Sequence, residues 1–232
     1  SIVGGGGLIT LPALLFVGLP PATAIATNKL AATLGNLTSM LTFLRAGKID
    51  FKLLRPIIPL VFVGSMLGAV TVNYISPNLL KPLIFIMLVI VLIYTIVNKE
   101  WGNIENRRVI TKKNKVILIT ALIAIGFYDG FLGPGTGSFI IFAFIIMGFD
   151  FIKASGNAKL LNFTSNFAAL IMFLFLGTVN YSYGIIMGLS MIVGAFAGAK
   201  FALGRGNAYV RIIFILVTSL LILKNGYDFF WG

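Results

Sequence analysis

Apolar residues along the chain form long runs that are separated by short polar or glycine-rich stretches. Together with the residues that break helices, the runs predict membrane segments at these positions: 8–17, 22–44, 53–75, 79–97, 116–131, 138–149, 152–176, 183–203 and 208–223. A helix needs about 20 apolar residues to cross a bilayer, so most of the runs are long enough. Two are too short for an ordinary span, 8–17 and 138–149.

Each short segment directly follows a glycine-rich break, GGGG at 4–7 or GPGTG at 133–137. Irregular backbone survives at membrane depth only where protein or a watery cavity surrounds it, so each break predicts a hairpin whose tip lies inside the protein. The segment 138–149 would reach only ~18 Å into a hydrocarbon core of ~30 Å. A helix that starts at such a tip presents N–H groups and a positive dipole end, which favours an anion site. The alternative is that the glycines only permit close helix packing.

The sequence also matches itself at an offset of 130 residues, without a gap from the first glycine break to Ala69. The identities include Gly5 with Gly135, Gly7 with Gly137, Lys29 with Lys159, Asn36 with Asn166, and Gly68 with Gly198. The chain is therefore predicted to be a duplicated unit: a first repeat at 1–97, a basic linker at 98–115 and a second repeat at 116–232. Because helix 116–131 precedes the second break, we expect an equivalent helix before Ser1. The spacing of Gly64 and Gly68, and of Gly194 and Gly198, is typical of helix packing.

The basic residues predict the orientation of the repeats. If the linker 98–115 is cytoplasmic, the basic loop 45–55 is cytoplasmic as well, as the positive-inside rule requires. Its repeat equivalent, 177–182, carries no charge and is predicted to lie on the opposite side of the membrane from the cytoplasm. The two repeats are therefore predicted to have opposite orientations, which is typical of secondary transporters. The predicted fold is an all-α polytopic membrane protein of two inverted-topology repeats, whose glycine-broken short helices meet near the midplane.

Composition excludes several classes of function. Hydrophobic residues make up 59% of the 232 residues and charged residues 10%, against about a quarter charged in a soluble domain. The chain has no Cys and no His, so disulfides, Cys-based metal sites and His-based proton transfer are excluded. We therefore expect no cofactor and no metal site. The net charge of +12 reports membrane topology rather than nucleic-acid binding.

Lys29 and Lys159 fall inside predicted membrane segments, where a charged side chain costs ~2.5–3.5 kcal/mol on insertion scales. Either they bind an anion near the midplane, or their long stems snorkel to an interface. Asp129 is the one carboxylate predicted to be buried, and three roles are open to it: counter-ion to a lysine, coupling site for H⁺ or Na⁺, or cap of the glycine-rich turn. The predicted substrate-binding residues are Gly5, Gly6, Gly7, Asn28, Lys29, Asn36, Gly133, Gly135, Thr136, Gly137, Lys159, Asn162 and Asn166, with Asp129 as the coupling residue.

Four stretches together resemble the TauE/SafE family, the sulfite exporter-like permeases. They are GGGGLITLPALL, ATNKLAATLGN, YDGFLGPGTGSF and NAKLLNFTSNFAAL, and they lie in both repeats. The resemblance implies transport of small sulfur-containing anions, such as sulfite or organosulfonates, across the plasma membrane of a prokaryote. The first repeat has GGGG where the second has GPGTG, so we expect the two halves of a site to differ.

The predicted function is therefore secondary transport of a small anion by alternating access, with the lipid bilayer and a coupling ion, H⁺ or Na⁺, as further partners. The alternatives are an anion channel, a permease for another small organic anion and a structural membrane subunit. An intramembrane enzyme is disfavoured, because one buried carboxylate without Cys or His provides no acid–base pair. The sequence carries no signal of oligomeric state.

Overall fold

The computed structural model describes residues 6–97 and 112–205, which are α-helical throughout apart from short connections. Across these two ranges the helices, in chain order, are α1 Gly6–Phe16, α2 Pro21–Arg45, α3 Phe51–Leu54, α4 Ile58–Val72, α5 Pro77–Val97, α6 Lys112–Phe131, α7 Thr136–Ile146, α8 Phe151–Phe175 and α9 Tyr181–Arg205. The predicted all-α fold is confirmed for this part of the chain. The predicted segment 208–223 and most of the linker 98–115 lie outside the described residues.

By length and hydropathy, three of the described helices can cross a membrane: Asn114–Phe131, Phe151–Phe175 and Tyr181–Gly204. The pair Ile58–Val72 and Pro77–Ile84, bent by 119° at a short break, would count as a fourth. The helices α1 and α7 have 11 residues each and therefore reach only ~16 Å, about half of the hydrocarbon core. The two short arms that the sequence predicted are thus present as short helices.

The predicted single segment at 53–75 is wrong in one respect, because the structure divides it. A short helix, α3, ends at Leu54, and α4 begins at Ile58 after a turn that contains Pro56. A proline ring has no backbone N–H and clashes with the preceding helical turn, so the residues before it leave the helix. The rest of the segment continues as α4.

The duplication seen in the sequence reappears in the local structure of the two halves. The bounds of α1 and α7 differ by 130 residues at both ends, and the bounds of α2 and α8 do the same. The glycines that end these helices match too: Gly18 and Gly148 have φ of 85° and 88°, and Gly47 and Gly177 have φ of 64° and 66°. The same offset therefore relates helix length and turn conformation, and not only residue identity.

Two hydrogen bonds tie the halves together in a reciprocal way. The N–H of Asp50 donates to Oδ1 of Asn157 at 2.8 Å, and the N–H of Asn180 donates to Oγ1 of Thr27 at 3.0 Å. Both members of the second bond are offset by 130 residues from members of the first. Each bond joins the loop after one long helix to the beginning of the other, so α2 and α8 lie antiparallel.

The helices pack in a matching pattern, since α2 contacts α8 and α9 while α8 contacts α2 and α4. The contact of α4 with α6 is unusually close. A Cβ atom built on Gly68 would lie 2.1 Å from the carbonyl oxygen of Phe127, and one built on Gly130 would lie 1.9 Å from that of Ser65. Only glycine permits this approach of two backbones. The packing interpretation of Gly64 and Gly68 is thereby confirmed.

Candidate functional site

A cavity of about 360 Å³ lies between the two halves. Its wall is built by α1, α2, α7, α8 and α9 together with the end of α6 and the glycine break that follows it. The lining residues are Gly7, Ile9, Thr10, Asn28, Lys29, Ala32, Gly35, Asn36, Asp129, Gly133, Thr136, Lys159, Asn162, Asn166, Ile186, Met187, Ser190, Met191, Gly194 and Ala195. Polar side chains from both repeats therefore meet around one space.

Lys29 and Asp129 form a buried ion pair at the edge of this cavity. Nζ of Lys29 lies 3.0 Å from Oδ1 of Asp129, and their side chains are 1% and 2% exposed. The same ammonium also donates to the backbone carbonyl of Asp129. The pair joins α2 of the first half to α6 of the second. Of the three roles open to Asp129, the structure thus shows that of a counter-ion to a lysine.

The other carboxylate oxygen of Asp129 is occupied by donors from α8. Oδ2 accepts hydrogen bonds from the hydroxyl of Ser165 and from Nδ2 of Asn166, at 2.9 Å. The carbonyl oxygen of Ser165 in turn accepts a hydrogen bond from the hydroxyl of Ser65 on α4, at 2.6 Å. Both oxygens of Asp129 therefore have partners, and the network reaches four helices.

Lys159 occupies the equivalent position in the second repeat but has a different environment. The residue is 1% exposed, so the snorkelling interpretation is wrong for it, as it is for the fully buried Lys29. Its Nζ has no hydrogen-bond partner among the described residues. A buried ammonium without a partner is energetically costly. The side chain lines the cavity, so a ligand there could supply the missing partner.

The second glycine break is folded tightly against the ion pair. Gly133 and Gly135 have φ of 92° and 77°, a left-handed conformation that glycine adopts without strain. A Cβ built on Gly133 would lie 2.5 Å from Nζ of Lys29 and 2.8 Å from Oδ1 of Asp129. The hydroxyl of Tyr128 donates to the carbonyl of Pro134 at 2.7 Å and fixes the loop. The break thus brings backbone close to both charges.

The two breaks approach each other, because a Cβ built on Gly7 would lie 3.3 Å from Cα of Pro134. At the start of α7, however, the N–H groups of Thr136 and Ser138 donate to carbonyl oxygens within the break, at 3.3 and 2.9 Å. These two backbone amides are therefore already hydrogen-bonded within the protein. The expectation that the start of this helix offers free N–H groups to an anion does not hold for them.

Of the predicted substrate-binding residues, the cavity brings together Gly7, Asn28, Lys29, Asn36, Gly133, Thr136, Lys159, Asn162 and Asn166, with Asp129. Gly135 and Gly137 are not among its lining residues, and Gly6 is described only as the first residue of α1. Gly135 instead precedes the first turn of α7, and Gly5 lies outside the described residues. The binding role of these residues stays a prediction.

Sequence reasoning missed one wall of the cavity, which α9 supplies with Ile186, Met187, Ser190, Met191, Gly194 and Ala195. Gly194, which the sequence predicts to be a packing glycine, lines the cavity, and among the described residues a Cβ built on it would meet nothing within 4 Å. Ser190 was the one available signal, because it is a polar residue in the middle of an apolar helix. The other five residues are indistinguishable by type from residues that face lipid.

Comparison with known proteins gives a consistent result. The profile of the family described as Sulfite exporter TauE/SafE matches residues 1–225. The chain is 37% identical over 232 residues to the probable membrane transporter protein YfcA of Escherichia coli K12, covering 98% of this chain and 84% of that protein. It is 36% identical to a probable membrane transporter protein of Haemophilus influenzae, covering 100% and 90% of the two chains.

A further relative is the probable membrane transporter protein ORF9 of Sinorhizobium sp, with 34% identity over 97% of this chain and 85% of that protein. No solved structure matches the chain.

Proposed function

Because this chain belongs to the TauE/SafE family, we propose that it is a permease for small sulfur-containing anions, such as sulfite or organosulfonates. The family and the relatives point to a membrane transporter rather than an enzyme. The bacterial relatives support the plasma membrane as its location. The proposed topology places the linker 98–115 in the cytoplasm, as the distribution of basic residues predicts.

The observation that best supports an anionic substrate is the position of the Lys159 ammonium. It is buried, lines the cavity and lacks a hydrogen-bond partner among the described residues. Neutral polar groups accompany it, with Asn162 one helical turn farther along α8 and Asn36 on α2. An ammonium with amide donors beside it suits the oxygen atoms of a sulfonate or sulfite group. The cavity volume of about 360 Å³ accommodates an anion of this size.

The proposed mechanism is alternating access by two inverted repeats that move against each other around the bound anion. The antiparallel arrangement of α2 and α8 supports it, because these two helices are repeat equivalents. The reciprocal bonds from Asp50 to Asn157 and from Asn180 to Thr27 support it as well, since a twofold relation makes each contact occur twice. Coupling to H⁺ or Na⁺ through Asp129 stays a prediction.

The test is counterflow in liposomes that contain the full-length protein. Vesicles are loaded with unlabelled sulfite or a small sulfonate, and uptake of the labelled anion is followed with and without that load. A permease that alternates between two faces accelerates uptake when substrate is present on the other side, and its flux saturates. An open channel shows neither effect.

The informative variant is Lys159→Gln, and its matched control is Lys153→Gln on the same helix. The side chain of Lys153 is 61% exposed and pairs with Asp150 at the surface, at 3.6 Å. We expect Lys159→Gln to lower transport by about tenfold or more, the scale of one lost charge-assisted contact, and Lys153→Gln to transport normally. Normal transport by a folded Lys159→Gln protein would contradict the proposed role of Lys159 in binding the anion. Absence of any sulfur-anion flux in the wild type would refute the proposed substrate class.

A further inference from the structure

The loop that follows α2 is fixed to the protein on one side. A Cβ atom built on Gly156 would lie 2.3 Å from the carbonyl oxygen of Lys48, so the loop backbone lies directly against the start of α8. The N–H of Asp50 donates to Oδ1 of Asn157, and Ile49 packs against buried apolar residues. The position of the loop on the protein is therefore well defined.

The other side of the loop is exposed and combines basic with apolar side chains. Arg45 ends α2, Lys52 lies in α3 and Arg55 follows α3, and all three are exposed. Phe51 and Leu44 are exposed beside them. The N–H of Arg55 donates to the carbonyl of Phe51 at 2.9 Å, which places these two residues one helical turn apart. Exposed cations next to exposed apolar side chains are typical of the boundary between hydrocarbon and lipid headgroups.

This loop has a clear excess of positive charge. Four basic residues accompany one acidic residue within 45–55: Arg45, Lys48, Lys52 and Arg55 with Asp50. Four positive charges and one negative charge leave a net charge of +3. The carboxylate of Asp50 caps α3, since Oδ1 accepts a hydrogen bond from the N–H of Leu53 at 3.0 Å.

The equivalent loop after α8 shows that this conformation does not depend on the basic residues. The turn glycines Gly47 and Gly177 have φ of 64° and 66°. Asp50 and its equivalent Asn180 each accept a hydrogen bond from the N–H three residues later, at 3.0 and 3.2 Å. At the offset of 130, the four basic residues correspond to neutral ones: Phe175, Thr178, Ser182 and Ile185. The charges of the first loop therefore have a role other than folding it.

Both loops lie at the level of the lipid headgroups. The helices α2 and α8 have 25 residues each, so they are ~37 Å long and exceed the hydrocarbon core of ~30 Å. Phe51 and its repeat equivalent Tyr181 are both exposed, and exposed aromatic residues are typical of the membrane–water interface. The basic loop is therefore placed where phosphate groups of lipids are found.

We propose that this basic loop, with Arg45, Lys48, Lys52 and Arg55, binds the headgroup of an anionic phospholipid. The acyl chains of that lipid lie against Leu44 and Phe51. Guanidinium groups bind phosphate oxygens in a bidentate way, and basic residues next to a membrane are attracted to anionic lipids. The inference goes beyond the proposed function, because it holds for any transported substrate.

The same charges would also be present if they served only to orient the protein during membrane insertion. That role ends once the protein is folded, whereas a lipid site persists in the purified protein. Binding in detergent therefore separates the two, because orientation in a membrane no longer matters there.

The test is native mass spectrometry of the full-length protein in detergent. It gives the dissociation constant of the first bound lipid for phosphatidylglycerol and for phosphatidylcholine with the same acyl chains. We expect the wild type to bind phosphatidylglycerol about tenfold or more tightly than phosphatidylcholine. The double variant Lys52→Gln with Arg55→Gln should weaken phosphatidylglycerol binding by about 25-fold, about fivefold for each basic residue removed, and leave phosphatidylcholine binding unchanged.

The matched control is the double variant Lys153→Gln with Lys200→Gln, which removes two charges from the same end of the helix bundle. Lys153 pairs with Asp150 at 3.6 Å, and Nζ of Lys200 lies 4.4 Å from the ring centroid of Phe196. Because these two lysines have contacts of their own, the control should keep the preference for phosphatidylglycerol. An equal loss of binding in the control would overturn the proposal, since net charge alone would then explain it.

Two further results would also overturn the proposal. If the folded Lys52→Gln with Arg55→Gln protein kept the full preference for phosphatidylglycerol, the basic residues would serve orientation alone. If free glycerol phosphate displaced phosphatidylglycerol at equal concentration, the loop would bind a soluble phosphate rather than a lipid. Neither result would affect the proposed anion transport, which depends on the cavity.

Discussion

Removal of either partner of the Lys29–Asp129 pair should strongly destabilise the protein. The two side chains are 1% and 2% exposed, and their charged atoms are 3.0 Å apart. Loss of one member of a buried pair typically costs about 3–5 kcal/mol, because the other charge stays buried without compensation. Lys29→Met and Asp129→Asn should therefore each lower the free energy of unfolding by about this amount.

The structure also predicts which single variant is worse. In Lys29→Met, the Asp129 carboxylate keeps the donors Ser165 and Asn166, which still stabilise its charge. In Asp129→Asn, the ammonium of Lys29 loses its negatively charged partner and keeps only neutral acceptors from residue 129, the backbone carbonyl and the side-chain amide oxygen. We expect Asp129→Asn to cost more than Lys29→Met, and the double variant to cost clearly less than the sum of the two.

The assay is equilibrium unfolding of the full-length protein in mixed micelles by titration with a denaturing detergent. A double-mutant cycle gives the coupling free energy, which we expect to be about 2 kcal/mol or more for this pair. Lys153→Met is the control, because its surface pair with Asp150 is solvent-exposed and should contribute less than about 0.5 kcal/mol. The conclusion that this buried ion pair stabilises the contact between the halves would be refuted in two cases. The two single variants could change the free energy of unfolding additively, or each could change it by no more than the control does.

The other predictions use the same unfolding assay. Gly130→Ala should cost about 1–3 kcal/mol or more by overpacking, because its Cβ would lie 1.9 Å from the carbonyl oxygen of Ser65. Gly194→Ala, whose Cβ would meet nothing within 4 Å among the described residues, should be neutral or stabilising by up to about 1 kcal/mol; equal effects of the two would contradict the packing argument. Thr27→Val removes the acceptor of the Asn180 N–H and should cost about 1 kcal/mol or more, and an unchanged stability would show that this loop contact is not stabilising.

Most helices and their ends could be predicted from the sequence because the bilayer leaves the backbone few choices. Apolar segments in lipid must satisfy their own hydrogen bonds, so they become helices wherever glycine or proline does not interrupt them. The self-match at an offset of 130 then fixed equivalent positions, and the bounds of α2 and α8 follow it at both ends. Pro56 also indicated the split of the segment 53–75, but the mean hydropathy of a long segment hardly changes at a single proline.

The different environments of Lys29 and Lys159 could not be predicted, because the self-match presents these residues as equivalents. Their difference depends on Asp129, which lies 100 positions from Lys29 in the chain. Contact between them requires α6 to pass beside α2, and the position of one helix against another is set by packing that hydropathy does not encode. The sequence identified charged residues that line the cavity, but not that Lys29 forms an ion pair with Asp129.

Gly64 with Gly68 and Gly194 with Gly198 show most clearly why the rest of the site escaped prediction. Their sequence spacing is the same, and the repeat match pairs them. Yet a Cβ built on Gly64 would lie 3.1 Å from the carbonyl oxygen of Ile123 on α6, whereas its repeat equivalent Gly194 lines the cavity in the part of the chain that the structure describes. A small residue on an apolar helix creates room, and only the neighbouring helix decides whether backbone or a ligand fills it. Which helix lies against a given small residue therefore has to come from the tertiary structure, even where the spacing itself is plain in the sequence.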